Sequence, residues 1–266
     1  GKRIGFLSAE SGSTQLWEVN PDGSDMRQVT LVEGGISGFL YSPNGEKILF
    51  TKDVKLDSTV NELYDDLPLA NARIIDDLMY RHWDQWHDYA YSHIFLMDYD
   101  DGVVSGEPKD IMDGERYDSP LNPFGGIEEI AFSSDGYLVA YTCKKVSGKE
   151  YAESTNSDIY EYNLETKKTQ NLTEDNKGYD TQPAFSSNGT LAWLQMKRDG
   201  YESDKNDIIV RLSEGDVNLT ADWDGTVNGF IWSEDGSKIY FNAPVGGTVQ
   251  AFEIDVPKKN KKIKST

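Results

Sequence analysis

The residues best suited to chemistry lie in one short segment, residues 72–96, which reads ARIIDDLMYRHWDQWHDYAYSHIFL. It holds all three histidines of the chain, two of the six tryptophans and a cluster of aspartates. Histidines often bind metals, but His82, His87 and His93 are five and six residues apart, so no two share a helical face as a His-x-x-x-His pair does. The spacing disfavours a metal site, and neither a metal nor another cofactor is expected.

A nucleophile motif is missing from the sequence. There is no Gly-x-Ser-x-Gly elbow, and no histidine lies outside the 72–96 segment to complete a Ser-His-Asp triad. The single cysteine, Cys143, falls in a predicted strand, where a buried structural thiol is the favoured interpretation. We therefore predict no catalytic residue in this chain.

The overall charge narrows the classes of partner. A formal net charge of −20 opposes nucleic-acid binding, which depends on cationic neutralisation of phosphates, and favours partners that carry cationic groups. The basic run KKNKKIK, residues 258–264, is interpreted as a solvated turn or frayed end. No stretch approaches the about 18 apolar residues of a membrane helix, and the opening residues lack a signal-peptide core. No membrane partner is expected.

A repeat organises the elements that must position these residues. Four segments share an apolar run, a Ser-x-[Asp/Asn]-Gly turn and a second apolar run, which together predict β-hairpins. A third apolar run follows each hairpin, and three repeats close with Val-Thr or Leu-Thr. The four segments are residues 39–51, 130–142, 184–196 and 230–242, the third runs are residues 16–19, 93–97, 158–162, 207–210 and 251–254, and the closing pairs are Val29-Thr30, Leu172-Thr173 and Leu219-Thr220.

The turn glycines lie at positions 45, 136, 189 and 236, and the opening GKRIGFLS is interpreted as part of a fifth copy. A period of about 45 residues with four short strands is typical of a β-propeller blade. We predict an all-β fold, a partial β-propeller of four-stranded blades with about five blades in a single domain over residues 1–266. Because the start falls inside a repeat, an excised fragment is expected.

The long step between the first two turn glycines indicates an insertion over about 53–92. Its apolar residues follow near-helical spacing with charged residues opposite, so we predict a mostly helical insertion with a short amphipathic helix at 74–86. Two interpretations remain open: a structural flap packed on a blade, or an excursion that reaches a site formed elsewhere. The apolar positions are Ile75, Leu78, Met79, Trp83 and Trp86.

These segments resemble a known family. The SPNG and SSDG turns are similar to the TolB-like repeats in propellers of the prolyl oligopeptidase family. The insertion, DVK (53–55) followed by DLPLANARIIDDLMYRHWDQW (66–86), resembles the dipeptidyl peptidase V and acylaminoacyl-peptidase branch. The resemblance implies an N-terminal propeller that partners a C-terminal α/β-hydrolase domain, absent here, with a Ser-Asp-His triad. It also implies hydrolysis of short peptides in the periplasm or outside the cell.

In the related dipeptidyl peptidase IV branch, a propeller motif Asp-Trp-x-Tyr-Glu-Glu supplies two glutamates that hold the free N-terminus of the substrate. The similar run here is residues 77–82, with Arg81 and His82 in place of the glutamates. The ammonium group of a bound substrate would then pair with a nearby aspartate. The predicted substrate-binding residues are Asp76, Asp77, Tyr80, Arg81, His82, Trp83, Asp84 and Trp86.

The leading functional hypothesis is the non-catalytic propeller portion of a dipeptidyl-peptidase-like serine exopeptidase, which gates access and contacts the N-terminal side of short peptides. The alternative is a TolB-like propeller that acts as a protein-interaction module without enzymatic activity. A third possibility is a five-bladed glycosidase, which would need two or three carboxylates in a central channel.

Overall fold

The computed structural model describes residues 2–257, which form short antiparallel strands joined by tight turns. The chain divides into two compact units. The first comprises the described parts of Gly1–Ile127 together with Val146–Ala152, and the second comprises Glu128–Lys145 together with the described part of Glu153–Thr266. The basic run at 258–264 lies outside the described residues. Within residues 2–257, no helix has the length and apolar character needed to cross a membrane.

The first unit contains two blade-like sheets, in the strand orders β1-β2-β3 and β4-β5-β8-β9, and a separate small hairpin, β6-β7. A core of aliphatic and aromatic side chains, among them Leu16, Ile48, Phe50 and Phe95, packs between the two sheets. The elements are β1 (Ile4–Ser8), β2 (Gln15–Val19), β3 (Arg27–Gln28), β4 (Gly38–Tyr41), β5 (Lys47–Lys55), α1 (Val60–Leu63), β6 (Arg81–His82), β7 (Gln85–Trp86), β8 (Ala90–Asp100) and β9 (Val103–Asp110).

The second unit contains three sheets, in the orders β10-β11-β12-β13, β14-β15-β16-β17 and β18-β19-β20. A 3-10 helix (Ile127–Glu129) and α2 (Gly148–Glu153) each contain a point along the chain where the unit assignment changes. The strands are β10 (Ile130–Phe132), β11 (Leu138–Cys143), β12 (Asp158–Asn163), β13 (Lys168–Asn171), β14 (Asp180–Phe185), β15 (Leu191–Gln195), β16 (Asp207–Leu212), β17 (Gly215–Asn218), β18 (Gly229–Trp232), β19 (Lys238–Val245) and β20 (Thr248–Asp255).

The five sheets confirm the predicted all-β fold and the five repeats. The predicted third runs are the strands β2, β8, β12, β16 and β20, each paired antiparallel to the strand before it. Three sheets have the four strands expected of a blade, whereas the first and last described sheets have three. Cys143 ends β11 and is fully buried, as its position predicted.

The Ser-x-[Asp/Asn]-Gly turns are alike in atomic detail. In the turn at 233–236, the Gly236 N–H donates to the Ser233 carbonyl at 3.0 Å, and the Ser233 hydroxyl donates to Asp235 at 2.8 Å. The hydroxyl also accepts the N–H of Lys238, which opens the next strand. The same glycine-to-serine bond occurs at Gly45, Gly136 and Gly189. The motif is therefore a structural turn that starts the second strand of each hairpin.

The closing threonines have an equally regular role. The hydroxyl oxygens of Thr30, Thr173 and Thr220 accept the N–H of Leu16, Ile159 and Ile208, at 2.8, 3.0 and 3.0 Å. All three threonines are buried. Each side chain thus replaces a backbone acceptor at the point where the fourth strand leaves the third.

A buried glutamate joins the insertion-bearing sheet to its neighbour. Glu18 on β2 accepts hydrogen bonds from Tyr41 at 2.7 Å, from Tyr99 at 2.5 Å and from the Arg27 guanidinium at 2.8 Å. Burial pushes the pKa of Glu18 upwards, but these three donors outweigh it and hold the pKa below its ordinary value. The first two sheets are therefore fixed to each other by a fully partnered charge.

The turn glycines generate the first prediction. Gly236 has φ +66°, and a Cβ there would lie 2.9 Å from the Asn188 amide nitrogen, whereas Gly45, with φ +73°, has open space around it. We expect Gly45→Ala to lower the free energy of unfolding by about 1 kcal/mol, because alanine disfavours the left-handed backbone. Gly236→Ala should lower it further, because the new methyl group meets Asn188, which a hydrogen bond from Ser186 holds in place. Urea unfolding measures both variants; equal losses would contradict this assignment.

Asp180 at the start of β14 is fully buried and has no charged hydrogen-bond partner among the described residues. Its oxygens accept bonds from Trp193 and Gln195, both at 2.8 Å, and from Asn176 at 3.0 Å. Burial outweighs these donors and raises the pKa of Asp180 to about 7. In the unfolded chain the group titrates near 3.8, so the folded state binds the extra proton between these values.

This linkage gives a pH prediction. The contribution of Asp180 to the unfolding free energy should be largest below pH 3.8 and should fall as the pH rises towards about 7. The difference in unfolding free energy between the wild type and Asp180→Asn should fall over that window. Asp235, whose pKa is lowered to about 2 by hydrogen bonds from Ser237, is the control. Its Asn variant should show no such slope between pH 4 and 7, and a flat Asp180 difference would refute the assignment.

Candidate functional site

A long insertion leaves the second sheet between β5 and β8. The two strands pair from Lys47↔Asp98 to Lys55↔Ala90, so the insertion comprises residues 56–89 and the predicted bounds of 53–92 were too wide. The N–H groups of Leu56 and Asp57 both donate to the Tyr89 carbonyl, at 3.0 and 3.1 Å. The two ends of the insertion therefore lie side by side where the strand pair ends.

Polar side chains at the base of the insertion converge on Asp57. Its carboxylate accepts the Arg116 Nε–H at 2.8 Å and the Tyr91 hydroxyl at 2.7 Å, and His87 Nε2 lies 3.7 Å from the same group. Burial raises the pKa of Asp57, but the bonds from Arg116 and Tyr91 outweigh it and keep the pKa below its ordinary value. The base is therefore clamped through an ionised carboxylate.

Asp118 lies beside this cluster in a different environment. Its Oδ1 accepts the Ser92 N–H and the Asn122 amide, both at 2.8 Å. Burial outweighs both donors and raises the pKa of Asp118 above its ordinary value. None of these base residues was predicted, because Arg116 and Asp118 lie far along the chain from the insertion.

After the base, the chain forms one turn of helix, α1. Thr59 and Glu62 make a reciprocal capping box, in which the Glu62 carboxylate accepts the Thr59 N–H at 2.9 Å. Lys55, at the end of β5, forms an ion pair with Glu62. The Lys55 ammonium and the Thr59 N–H lower the pKa of Glu62 to about 2. The capping box fixes where the helix starts.

The predicted helix at 74–86 is wrong. Residues 71–80 are irregular, and the segment ends in the small hairpin β6-β7. The apolar residues that suggested a helix, including Ile75, Leu78 and Trp83, are exposed. A helix of this length is marginal in water unless its apolar face packs on a partner, and the described residues supply no such partner.

The hairpin β6-β7 pairs Arg81 with Trp86 and His82 with Gln85. Trp83 at its tip adopts φ 55°, a left-handed conformation that is uncommon for a bulky residue. The Arg81 Nε–H donates to the Trp83 carbonyl at 2.9 Å and braces the turn. The Trp83 side chain is 73% exposed.

Aromatic and cationic groups flank the hairpin. The Arg73 guanidinium lies 4.9 Å from the Trp86 ring centre and also pairs with Asp88, and the Tyr80 ring stacks on Trp86 at 6.0 Å. A cation over an indole face is stabilised by the ring quadrupole. The insertion therefore already holds one cationic group on a tryptophan.

The candidate aspartates Asp77 and Asp84 have different surroundings. Asp77 Oδ1 accepts the N–H of Leu78 at 2.8 Å, and its carboxylate lies against Gly148 of α2. Asp84 lies in the hairpin turn between β6 and β7. All eight predicted substrate-binding residues are exposed: Asp76, Asp77, Tyr80, Arg81, His82, Trp83, Asp84 and Trp86.

The three histidines occupy separate environments. His82 lies on the hairpin edge-on to Phe124, with ring centres 5.6 Å apart, and His87 lies at the base. His93 is fully buried in β8, where Nδ1 is 2.7 Å from Asp110 and Nε2 is 2.8 Å from the Glu115 carbonyl. Among residues 2–257, no group of three or more His, Cys, Asp or Glu residues could hold a metal ion.

The chain is similar to known peptidases in sequence and to propellers in structure. It is 45% identical over 259 residues to dipeptidyl-peptidase 5 of Porphyromonas gingivalis, a match that covers 96% of this chain and 37% of the relative. This chain is homologous to a segment of the dipeptidyl-peptidase 5 proteins. No family model matches it.

The structural comparisons agree with this homology at the level of the fold. An acylaminoacyl peptidase from Pyrococcus horikoshii superposes with a TM-score of 0.65 and 14% identity, over 95% of this chain and 36% of that one. TolB from Acinetobacter baumannii superposes with a TM-score of 0.57 and 17% identity, over 96% and 50%. The predicted resemblance to dipeptidyl peptidase V and to TolB-like repeats is therefore confirmed. The chain spans about a third of the length of the dipeptidyl-peptidase 5 of P. gingivalis.

The clamp at the base of the insertion can be tested by local proteolysis. Asp57→Ala removes the acceptor shared by Arg116 and Tyr91, and hydrogen bonds to charged groups contribute about 1.5–3 kcal/mol. We expect trypsin cleavage after Arg73 and Arg81 to become about tenfold faster or more, since 1.4 kcal/mol corresponds to tenfold. Mass spectrometry of the fragments maps the cuts. Asp84→Ala, an exposed aspartate in the hairpin turn, is the matched control, and equal rates in both variants would contradict the clamp.

Proposed function

We propose that this chain is the propeller portion of a dipeptidyl-peptidase-like serine exopeptidase that acts in the periplasm or outside the cell. The blades limit access to a C-terminal α/β-hydrolase domain, and the insertion contacts the N-terminal side of short peptides. The carrying observation is the 45% identity to dipeptidyl-peptidase 5 over a stretch that includes nearly the whole chain. The location is to be tested by fractionation of the source cells.

The composition of the insertion supports a contact with peptide N-termini. Exposed carboxylates of Asp76 and Asp84 accompany the exposed indole of Trp83, and these are groups that stabilise an ammonium by charge and by contact with a ring face. The pairing of Arg73 with Trp86 shows the same chemistry within the chain. A net charge of −20 also attracts cationic ligands over longer range.

The division of the insertion into base and hairpin supports the same proposal. At the base, the Asp57 carboxylate is occupied by Arg116 and Tyr91, so it cannot bind a ligand without losing these bonds. The residues of the hairpin, in contrast, are exposed, and the Trp83 side chain at its tip is 73% exposed. Ligand contact is therefore assigned to the hairpin and its flanking aspartates, and a structural role to the base.

The test uses the full-length protein with fluorogenic dipeptide amides, with the N-terminus either free or acylated. The double variant Asp76→Asn/Asp77→Asn, and separately Asp84→Asn, should raise KM for the free-amine substrates. A rise of about tenfold or more is expected for a lost charge-assisted hydrogen bond of about 1.5–3 kcal/mol. For N-acylated substrates, KM should stay unchanged.

Two results would contradict the proposal at different levels. A full-length protein that cleaves no dipeptide amide and is not labelled by a fluorophosphonate would exclude a serine exopeptidase. An active enzyme whose KM is unchanged in all the aspartate variants would exclude amine contact by the insertion. An Asp113→Asn variant, at an exposed aspartate outside the insertion, removes the same charge and is the matched control for a general effect of charge.

A further inference from the structure

In two of the three blades of the second unit, the third strand starts with a buried or half-buried aspartate. In the sheet β14–β17 this residue is Asp207, whose Oδ1 lies 2.9 Å from the Lys205 ammonium. The ammonium also donates to the carbonyls of Thr220 and Trp223, at 3.0 and 2.6 Å. The Thr220 hydroxyl and the Asn218 amide donate to the same carboxylate. Both oxygens of Asp207 thus have donors, one of them cationic.

The equivalent residue in the sheet β10–β13 is Asp158, which is 6% exposed. Its Oδ2 accepts the Asn171 amide at 2.9 Å, as Asp207 accepts that of Asn218, and lies 3.5 Å from the Tyr160 hydroxyl. Its Oδ1 has no hydrogen-bond partner among residues 2–257. The residue that corresponds to Lys205, two positions before the aspartate, is Asn156.

The Asn156 amide can replace the hydrogen bonds of the lysine to backbone carbonyls but not its positive charge. Its hydrogen bonds are satisfied when the nitrogen donates to the carbonyls of Asn176 and Gly178, at 3.1 and 3.2 Å. Asn176 corresponds to Trp223, which Lys205 contacts in the next blade. In this orientation the Asn156 amide oxygen, and not the nitrogen, lies 3.5 Å from Asp158 Oδ2. Two oxygen acceptors therefore lie 3.5 Å apart. Asp158 Oδ1, which corresponds to the oxygen that Lys205 contacts on Asp207, has no donor among residues 2–257.

A buried carboxylate is stable when it is paired with a cation or coordinates one, and oxygen ligands suit hard cations. We propose that Asp158 binds a monovalent cation, Na⁺, K⁺ or NH₄⁺, in the role that the Lys205 ammonium has in the next blade. One carboxylate with an amide oxygen matches a single positive charge. The bound ion stabilises the blade by holding the start of β12 to the segment that follows β13.

The ion is tested by thermal unfolding of this chain in chloride salts of sodium, potassium, ammonium and N-methylglucamine at one ionic strength. At least one of the three small cations should raise Tm over N-methylglucamine by about 2–4 °C, the shift for a stabilisation of about 1 kcal/mol in a domain of this size. The rise should saturate with concentration. An equal Tm in all four salts would overturn the proposal and leave water as the partner of Asp158.

The neighbouring blade supplies matched variants. Asn156→Lys introduces the ammonium, so Tm in N-methylglucamine should rise and the dependence on cation identity should disappear. Lys205→Asn makes the sheet β14–β17 resemble the sheet β10–β13. Tm in N-methylglucamine should therefore fall, and small cations should restore part of the lost Tm. An unchanged cation dependence in Asn156→Lys, or no gain of dependence in Lys205→Asn, would refute the site. Should Asn156→Lys fail to fold, the second variant and the wild-type titration still decide.

Discussion

The antiparallel pairing of β5 with β8 is the constraint on which the candidate site depends. The two strands are hydrogen-bonded neighbours over nine residue pairs, so a chain that leaves one and returns to the other starts and ends at the same place. Residues 56–89 therefore leave and rejoin the blade without interrupting the pairing of these two strands. The free-energy cost of closing a loop grows only slowly with its length, so a long insertion is tolerated. Asp57 fixes the point where the insertion leaves β5 through its hydrogen bonds from Arg116 and Tyr91.

Local chemistry decides how much of this fold could be predicted from sequence. The Ser-x-[Asp/Asn]-Gly turns and the closing threonines make their hydrogen bonds within a few residues or to the adjacent strand. The sequence of each repeat therefore predicts its own strands and turns. The helix at 74–86 could not be predicted correctly, because its periodicity requires a packing surface that the described chain does not provide for Ile75 or Trp83. The base cluster was missed because Arg116 is 59 positions from Asp57 and no local pattern links them.

Two carboxylates at the base of the insertion have displaced pKa values. At the base, Asp57 and Asp118 have pKa values displaced in opposite directions, the first by its donors and the second by burial. Displaced carboxylates often mark functional sites, but structural ion pairs displace them too. Here the donors to Asp57 are the same groups that hold the insertion on the blade. The displaced pKa of Asp57 therefore reflects attachment of the insertion to the blade.

The repeat also gives an internal control that no single blade could. In four of the five sheets, the position before the first core residue of the third strand is occupied by Gln15, His93, Asp158 and Asp207, and all but Asp207 are buried. Gln15 is satisfied by Thr30 and Val32, and His93 by Asp110. The position thus accepts an amide, an imidazole or a carboxylate as long as the segment around the fourth strand supplies complementary partners. The β10–β13 and β14–β17 sheets share their strand order and the bond from the closing threonine, so the difference between Asn156 and Lys205 is a difference in side-chain chemistry at matching positions.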